Sequence, residues 1–165
     1  MMPITLKRFG FLPLIALATA VGATDSDPPG ALAQWEADQT LVFDAADVEL
    51  DAFKWAARPV VVFADSANDP AFQRQLELLA ARTEELVERD VVLITDTDPD
   101  ARSSLRTKLR PRGFMLTLIG KDGGVKLRKP FPWDVRELTR QIDKMPIRRQ
   151  EISDAKAAAA TAGRE

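Results

Sequence analysis

Two short apolar runs stand out against the polar stretches of this chain. The first run, Val60–Ala64, lies between Pro59 and Asp65, and the second, Val91–Thr97, follows a charged segment. Both begin with consecutive β-branched residues rather than with alternating apolar and polar positions, which is typical of strands buried on both faces of a sheet. We therefore predict two central strands.

A helix is predicted between these strands. Asn68 or Asp69 can cap it, and Pro70 suits its first turn. Mostly apolar residues then recur at steps of three and four, which places them on one helix face. These residues are Phe72, Leu76, Leu79, Thr83, Leu86 and Val87. A strand–helix–strand unit of this size predicts a right-handed crossover between parallel strands.

Residues 114–129 have the pattern of a β-hairpin. Residues 114–120 are mostly apolar on both faces, so this strand is expected to be central or nearly so. Asp122 and Gly123 predict a two-residue turn with positive φ at both positions. In the return strand apolar residues alternate with Lys126 and Arg128, which predicts an edge strand with one face in water.

Two further helices complete the predicted fold. The first begins at Asp98 and Pro99 and ends at Pro111. The second carries one apolar stripe and is expected to stop at Pro146. This stripe consists of Val135, Leu138, Ile142 and Met145. The resulting order, β-α-β-α-β-β-α, predicts an α/β, thioredoxin-like fold with a central mixed sheet flanked by helices.

Composition restricts the chemistry that such a fold can perform. The chain contains neither cysteine nor histidine. Thiol–disulfide exchange is therefore excluded, as are Cys or His metal sites and histidine-dependent catalytic triads. No cofactor is expected.

Charge is distributed unevenly along the chain. Residues 24–100 carry 5 basic and 18 acidic side chains, whereas residues 101–150 carry 14 basic and 4 acidic ones. The two segments either interleave in the fold and screen each other or leave a basic face for an anionic partner. Candidate residues for such a face are Arg112, Lys121, Lys126, Arg128, Lys129, Arg148 and Arg149, with Arg110 beside them.

Four segments resemble the DUF4174 family, a thioredoxin-related domain of uncharacterised function. They read RPVVVFA, ERDVVLI, GFMLTLIGKDGGVKLR and IDKMPIRRQE, and they occur in this order. The resemblance covers about residues 50–152 and implies a thioredoxin-like topology without established catalytic residues. Members occur in exported bacterial proteins and are similar to domains of vertebrate secreted matrix proteins.

The two ends of the chain predict export and processing. Residues 1–23 combine basic, apolar and small-residue regions like a signal peptide, and the apolar run is shorter than the roughly 20 residues of a stable transmembrane span. We interpret residues 24–40 as a linker, 41–152 as the DUF4174 domain, and 153–165 as a disordered or frayed tail. A periplasmic or secreted protein is expected.

The loop after the first central strand occupies the usual reaction site of thioredoxin-like folds. It contains Asp65, Ser66, Asn68 and Asp69. One interpretation is loop polarity with a helix cap, and another is a Ca²⁺ or Mg²⁺ site formed with Asp96, Asp98 and Asp100. A serine nucleophile at Ser66 would need Lys54 or Lys121 as its base.

The expected function is that of an exported, non-catalytic binding or interaction module. Its ligand is unknown, and an anionic envelope component or a protein is the expected partner. Nucleic acid is not expected, because the basic residues are not interleaved with aromatic ones. The alternative is an enzyme of unassigned chemistry that uses the polar loop.

Overall fold

The computed structural model describes residues 30–163 and contains one mixed sheet of five strands. The strands are β1 (Val42–Asp44), β2 (Arg58–Phe63), β3 (Val91–Asp96), β4 (Met115–Ile119) and β5 (Val125–Lys129). They lie in the order β1-β3-β2-β4-β5. Strands β1, β2 and β3 are parallel, whereas β4 is antiparallel to both β2 and β5. The predicted α/β fold with a mixed sheet flanked by helices is confirmed.

Helices cover both faces of this sheet. They are α1 (Ala31–Ala37), α2 (Pro70–Ala80), α3 (Thr83–Val87), α4 (Ser104–Leu109), α5 (Val135–Asp143) and α6 (Pro146–Ala162), with a 3-10 turn at Leu50–Phe53. One apolar cluster joins the sheet to α1, the 3-10 turn and α4, and the other joins it to α2, α3 and α5. Strand β2 is buried at every position because both clusters cover it.

The two apolar runs form neighbouring parallel strands, as predicted. Val60 and Val61 of β2 lie opposite Leu93 and Ile94 of β3. The structure adds β1, a three-residue edge strand paired to β3, which the sequence analysis did not predict. Only its central residue, Phe43, is buried, so the short segment lacks the repeated pattern that identifies a strand.

The helix boundaries differ from the predictions at two places here. The helix predicted from Pro70 onward begins there and is capped by Asp69, but it divides into α2 and α3. The start predicted at Asp98 is wrong, because Asp98 accepts hydrogen bonds within a turn and α4 begins only after Ser103, which caps Arg106 N. Arg102, the residue before this cap, has a positive φ of 47°.

Two turn predictions also need correction. The hairpin loop has a positive φ only at Gly123, 78°, so the predicted two-residue turn is wrong. Asp122 instead accepts a hydrogen bond from Gly124 N, and Gly120 N donates to Gly124 O across a three-residue loop. The helix that was predicted to stop at Pro146 is α5, which ends at Asp143. Pro146 is instead the first residue of α6, a position where the helix does not need the missing N–H.

Both flanking segments contain more structure than their interpretations allowed. Residues 31–37 of the predicted linker form α1, because Trp35 is buried on the sheet and its Nε1 donates to Val91 O at 3.4 Å. The predicted tail continues α6 to Ala162, as its alanine-rich sequence favours a helix even without burial. The predicted signal peptide, residues 1–23, lies outside the described residues. Within residues 30–163, none of the helices combines the length and apolar character needed to cross a bilayer.

Candidate functional site

The polar loop after β2 uses its side chains to shape the turn into α2. Asp69 Oδ1 accepts hydrogen bonds from Ala71 N at 2.7 Å and Phe72 N at 3.2 Å, which caps the helix. Ser66 Oγ accepts from Asn68 N at 3.1 Å. These bonds give acceptors to backbone N–H groups that would otherwise have no hydrogen-bond partner in the loop.

An ion pair that the sequence analysis missed lies beneath this loop. Arg106 of α4 donates from Nε and Nη2 to Asp96 Oδ1 at 3.0 and 2.7 Å, and from Nη2 to Ala64 O at 2.8 Å. Ser103 Oγ donates to the other Asp96 oxygen at 2.5 Å. Asp96 is 3% exposed, and the donors from Arg106 and Ser103 match its charge inside the fold. The pair joins the carboxyl ends of β2 and β3 to α4.

The alternative metal and nucleophile sites are not assembled in this region. Among residues 30–163, no group of three or more acidic residues could hold a metal ion. Asp96 is bound to Arg106, while Asp98 serves a backbone turn. Ser66 follows the carboxyl end of β2. Lys54 and Lys121 lie at the hairpin loop, near the other end of β2. A strand of this length separates its two ends by about 17 Å, which is too far for either lysine to act as the base of Ser66.

A second group of charges lies at the opposite end of the sheet. We call it the ionic cluster, and its members are Arg58, Glu88, Arg89, Asp90, Lys121, Asp143, Arg148 and Glu151. The four segments that resemble the DUF4174 family each contribute to it. Charged residues from all four segments therefore meet in one place.

Arg58 and Lys121 form the centre of the ionic cluster. Arg58 is 1% exposed, donates from Nη2 to Glu151 Oε1 at 2.9 Å and donates from Nη1 to Arg89 O at 2.9 Å. Lys121 Nζ lies 2.8 Å from both Asp90 Oδ2 and Glu151 Oε1. The cluster thereby fastens the hairpin loop and α6 to the starts of β2 and β3.

Two carboxyl groups at this end have lowered pKa values. Burial alone would raise the pKa of Glu151, but hydrogen bonds from Lys121 and Arg58 outweigh that effect and bring it below its usual value. The pKa of Asp122 is lowered mainly by its hydrogen bond from Lys126 and also by the one from Gly124 N. Both groups are therefore ionised partners of cations at neutral pH.

The structure separates the cations that the sequence analysis grouped together. Lys121 and Arg148 lie in the ionic cluster and are largely buried, and Lys126 pairs with Asp122 at 2.6 Å. Arg149 is exposed near the start of α6. These four are therefore distributed over the loop end of the hairpin and the neighbouring helix.

The remaining predicted cations lie at the open end of the hairpin. We call this group the cationic edge, and it consists of Arg110, Arg112, Arg128 and Lys129. Arg128 Nη1 donates to Leu109 O, so this guanidinium group lies at the end of α4, one residue before Arg110. Lys129 Nζ lies 4.5 Å from the ring centre of Trp133. Within the described part of the chain, none of the four has a carboxylate within 4.0 Å.

Comparison with known proteins identifies one family and several structures with partial likeness. The sequence model described as "Domain of unknown function (DUF4174)" matches residues 49–151. Chloroplastic thioredoxin z is 20% identical, with a TM-score of 0.48 over 63% of this chain and 96% of that one. Fasciola hepatica thioredoxin is 22% identical, with a TM-score of 0.46 over 61% and 96%. The mitochondrial 2-Cys peroxiredoxin from Plasmodium falciparum is 14% identical, with a TM-score of 0.46 over 61% and 84%.

Proposed function

We propose that this chain, which belongs to the DUF4174 family, is an exported, non-catalytic binding module that holds an anionic polymer of the cell envelope through the cationic edge. The observation that carries this proposal is that the four cations at the open end of the hairpin have no carboxylate within 4.0 Å among the described residues. Guanidinium groups bind carboxylate, sulfate and phosphate well because their planar donors match two oxygens at once.

The contrast between the two ends of the hairpin supports the assignment to the cationic edge. At the loop end, the two lysines of the hairpin itself already contact carboxylates, Lys121 with Asp90 and Lys126 with Asp122. At the open end, Arg128 binds a neutral carbonyl and Lys129 lies over an aromatic ring. Among residues 30–163 the charge of the cationic edge is therefore not matched by a carboxylate, and we propose that a polyanion matches it.

The polar loop after β2 supports a module without catalysis. The chain has no cysteine for redox exchange, and the loop directs Ser66 and Asp69 to its own backbone. Asp65 is 64% exposed, and its closest cation, Arg106, is already bound to Asp96. These groups are not arranged around one common reacting atom, as the groups of a catalytic site are.

Export is proposed from the order of residues at the start of the chain. Lys7 and Arg8 precede an apolar run that ends near Val21, and small residues follow before a polar stretch. This is the order of a signal peptide. Detection of the protein in periplasmic or culture fractions, with a start near residue 21 or 24 by mass spectrometry, would support export, and a cytoplasmic chain that retains Met1 would oppose it.

Binding of the full-length chain to dextran sulfate at low salt tests the proposed role. We expect the variant R112E/R128E/K129E to bind at least tenfold more weakly than wild type, since three cationic contacts are reversed. The matched control is R102E/R136E/K144E, which makes the same change of net charge at exposed cations on other elements. Equal weakening in both variants, or no binding by the wild type, would contradict the proposal.

A further inference from the structure

A cavity of about 130 Å³ lies between the hairpin loop and the turn that joins α5 to α6. Three cations, Arg58, Lys121 and Lys126, line it together with three apolar side chains, which are those of Met145, Pro146 and Ile147. It lies at the loop end of the hairpin, away from the cationic edge. An apolar cavity with a few charged groups is the usual form of a small-molecule site.

The glycines of the loop allow Lys126 to reach this cavity. A Cβ at Gly120 would lie 2.5 Å from Lys126 Cε, and one at Gly124 would lie 3.3 Å from Lys126 Nζ. The lysine side chain therefore folds back over two residues without side chains and places Nζ 2.6 Å from Asp122 Oδ2. Lys126 and Asp122 are each about one third exposed. A cation and an anion are thus held together beside the cavity.

Both lysines retain donor capacity for a ligand. An ammonium group has three N–H donors. Lys121 uses two of them, for Asp90 and Glu151, and within residues 30–163 Lys126 uses one, for Asp122. Asp122 has further lone pairs, since its hydrogen bonds come from Lys126 and Gly124 N. The site can therefore bind one additional anionic group and one additional cationic group.

The balance of charge selects the kind of ligand. The three cations of the cavity are matched by the three carboxylates that contact them. These carboxylates belong to Asp90, Asp122 and Glu151. A ligand with a net charge would leave one charge unmatched in a partly buried place, whereas a zwitterion keeps the balance.

We propose that this cavity binds a small zwitterion with a branched apolar group, of which a branched-chain α-amino acid is the type. The ligand carboxylate accepts from Lys126 and Lys121, its ammonium group donates to Asp122, and its aliphatic part lies against Met145 and Ile147. A cavity of this size suits about four to six carbon atoms. The proposal does not depend on the cationic edge, so the two proposals can fail separately.

The test is a titration of the full-length chain with L-leucine, followed by the methyl NMR signals of Met145 and Ile147. We expect saturable shifts of both signals. 4-Methylpentanoate, which lacks the amine, and 3-methylbutylamine, which lacks the carboxylate, should each bind at least tenfold more weakly. No saturable shift with leucine, or equal binding of either single-charge compound, would overturn the proposal.

Two variants test whether leucine binds at the Lys126–Asp122 pair beside the cavity. D122N keeps an acceptor for Gly124 N but removes the charge, and we expect about tenfold weaker leucine binding. K126Q should have an effect of similar size, whereas K129Q, at the cationic edge, should bind leucine like wild type. Circular dichroism shows whether each variant is folded. Folded D122N and K126Q proteins that both bind leucine with wild-type affinity would contradict the assignment.

Discussion

At the scale of single residues, the least predictable feature is the buried pair Asp96–Arg106. Asp96 was predicted at the end of a buried strand, but no sequence period connects it to a partner in a helix that starts at Ser103. The pairing depends on how α4 lies across the sheet, which is a tertiary property. By contrast, the cap at Asp69 was predictable because capping is local.

Arg106→Met should lower the free energy of unfolding by about 3 kcal/mol, because Asp96 and Ala64 O would lose their buried donor. Urea unfolding measures this change. Arg74→Met is the matched control, since its pair with Glu77 is mostly exposed and should contribute less than about 0.5 kcal/mol. A similar loss in both variants would show that burial of the Arg106 pair is unimportant.

Glu151 gives the ionic cluster a defined pH dependence. Its folded pKa lies below its usual value, so the folded state binds this proton less readily than the unfolded state. Its stabilisation is complete above about pH 4.3, the ordinary glutamate value, and is lost as the pH falls through the lowered folded pKa. We expect E151Q to be less stable by about 1–2 kcal/mol at pH 7.

Urea unfolding of wild type and E151Q between pH 7 and pH 3 measures this dependence. The stability difference between the two proteins should shrink as the pH falls below about 4.3. A difference that stays constant over the whole range would mean that the charge of Glu151 does not stabilise the fold.

At the scale of elements, the sequence predicted those strands and helices that have a sustained apolar pattern. The runs that became β2 and β3 and the stripes of α2 and α5 fall in this class. Elements without such a pattern were missed or misplaced. For β1 there are only three residues, and α1 has a single buried residue, Trp35.

The last part of α6 should be dispensable for stability. Residues 153–163 are exposed, so removing residues 153–165 should change the free energy of unfolding by less than about 0.5 kcal/mol. A truncation after Arg149 also removes Glu151 and should lower the free energy of unfolding by more than 1 kcal/mol, about the loss expected for E151Q. Urea unfolding of the two truncated chains compares them. Equal losses would contradict the view that only the first part of α6 is anchored.

At the scale of the whole molecule, interleaving accounts for part of the uneven charge, whereas a basic face for an anionic partner stays a proposal. Acidic residues of the first segment pair with basic residues of the second, as in Asp90–Lys121, Glu88–Arg148 and Asp96–Arg106. This interleaving neutralises the ionic cluster. The sequence indicated an excess of basic charge in residues 101–150 but could not show which of these cations remain unpaired, since that depends on which strand ends and helices meet.

The salt dependence of dextran sulfate binding tests the proposed role of the cationic edge most directly. For the full-length wild type, the logarithm of the affinity should fall steeply with the logarithm of the salt concentration, because bound cations release counterions from the polymer. The variant R112E/R128E/K129E should give a slope shallower by about two to three, and R102E/R136E/K144E should retain most of the wild-type slope. Parallel lines for all three proteins would contradict a binding role of the cationic edge.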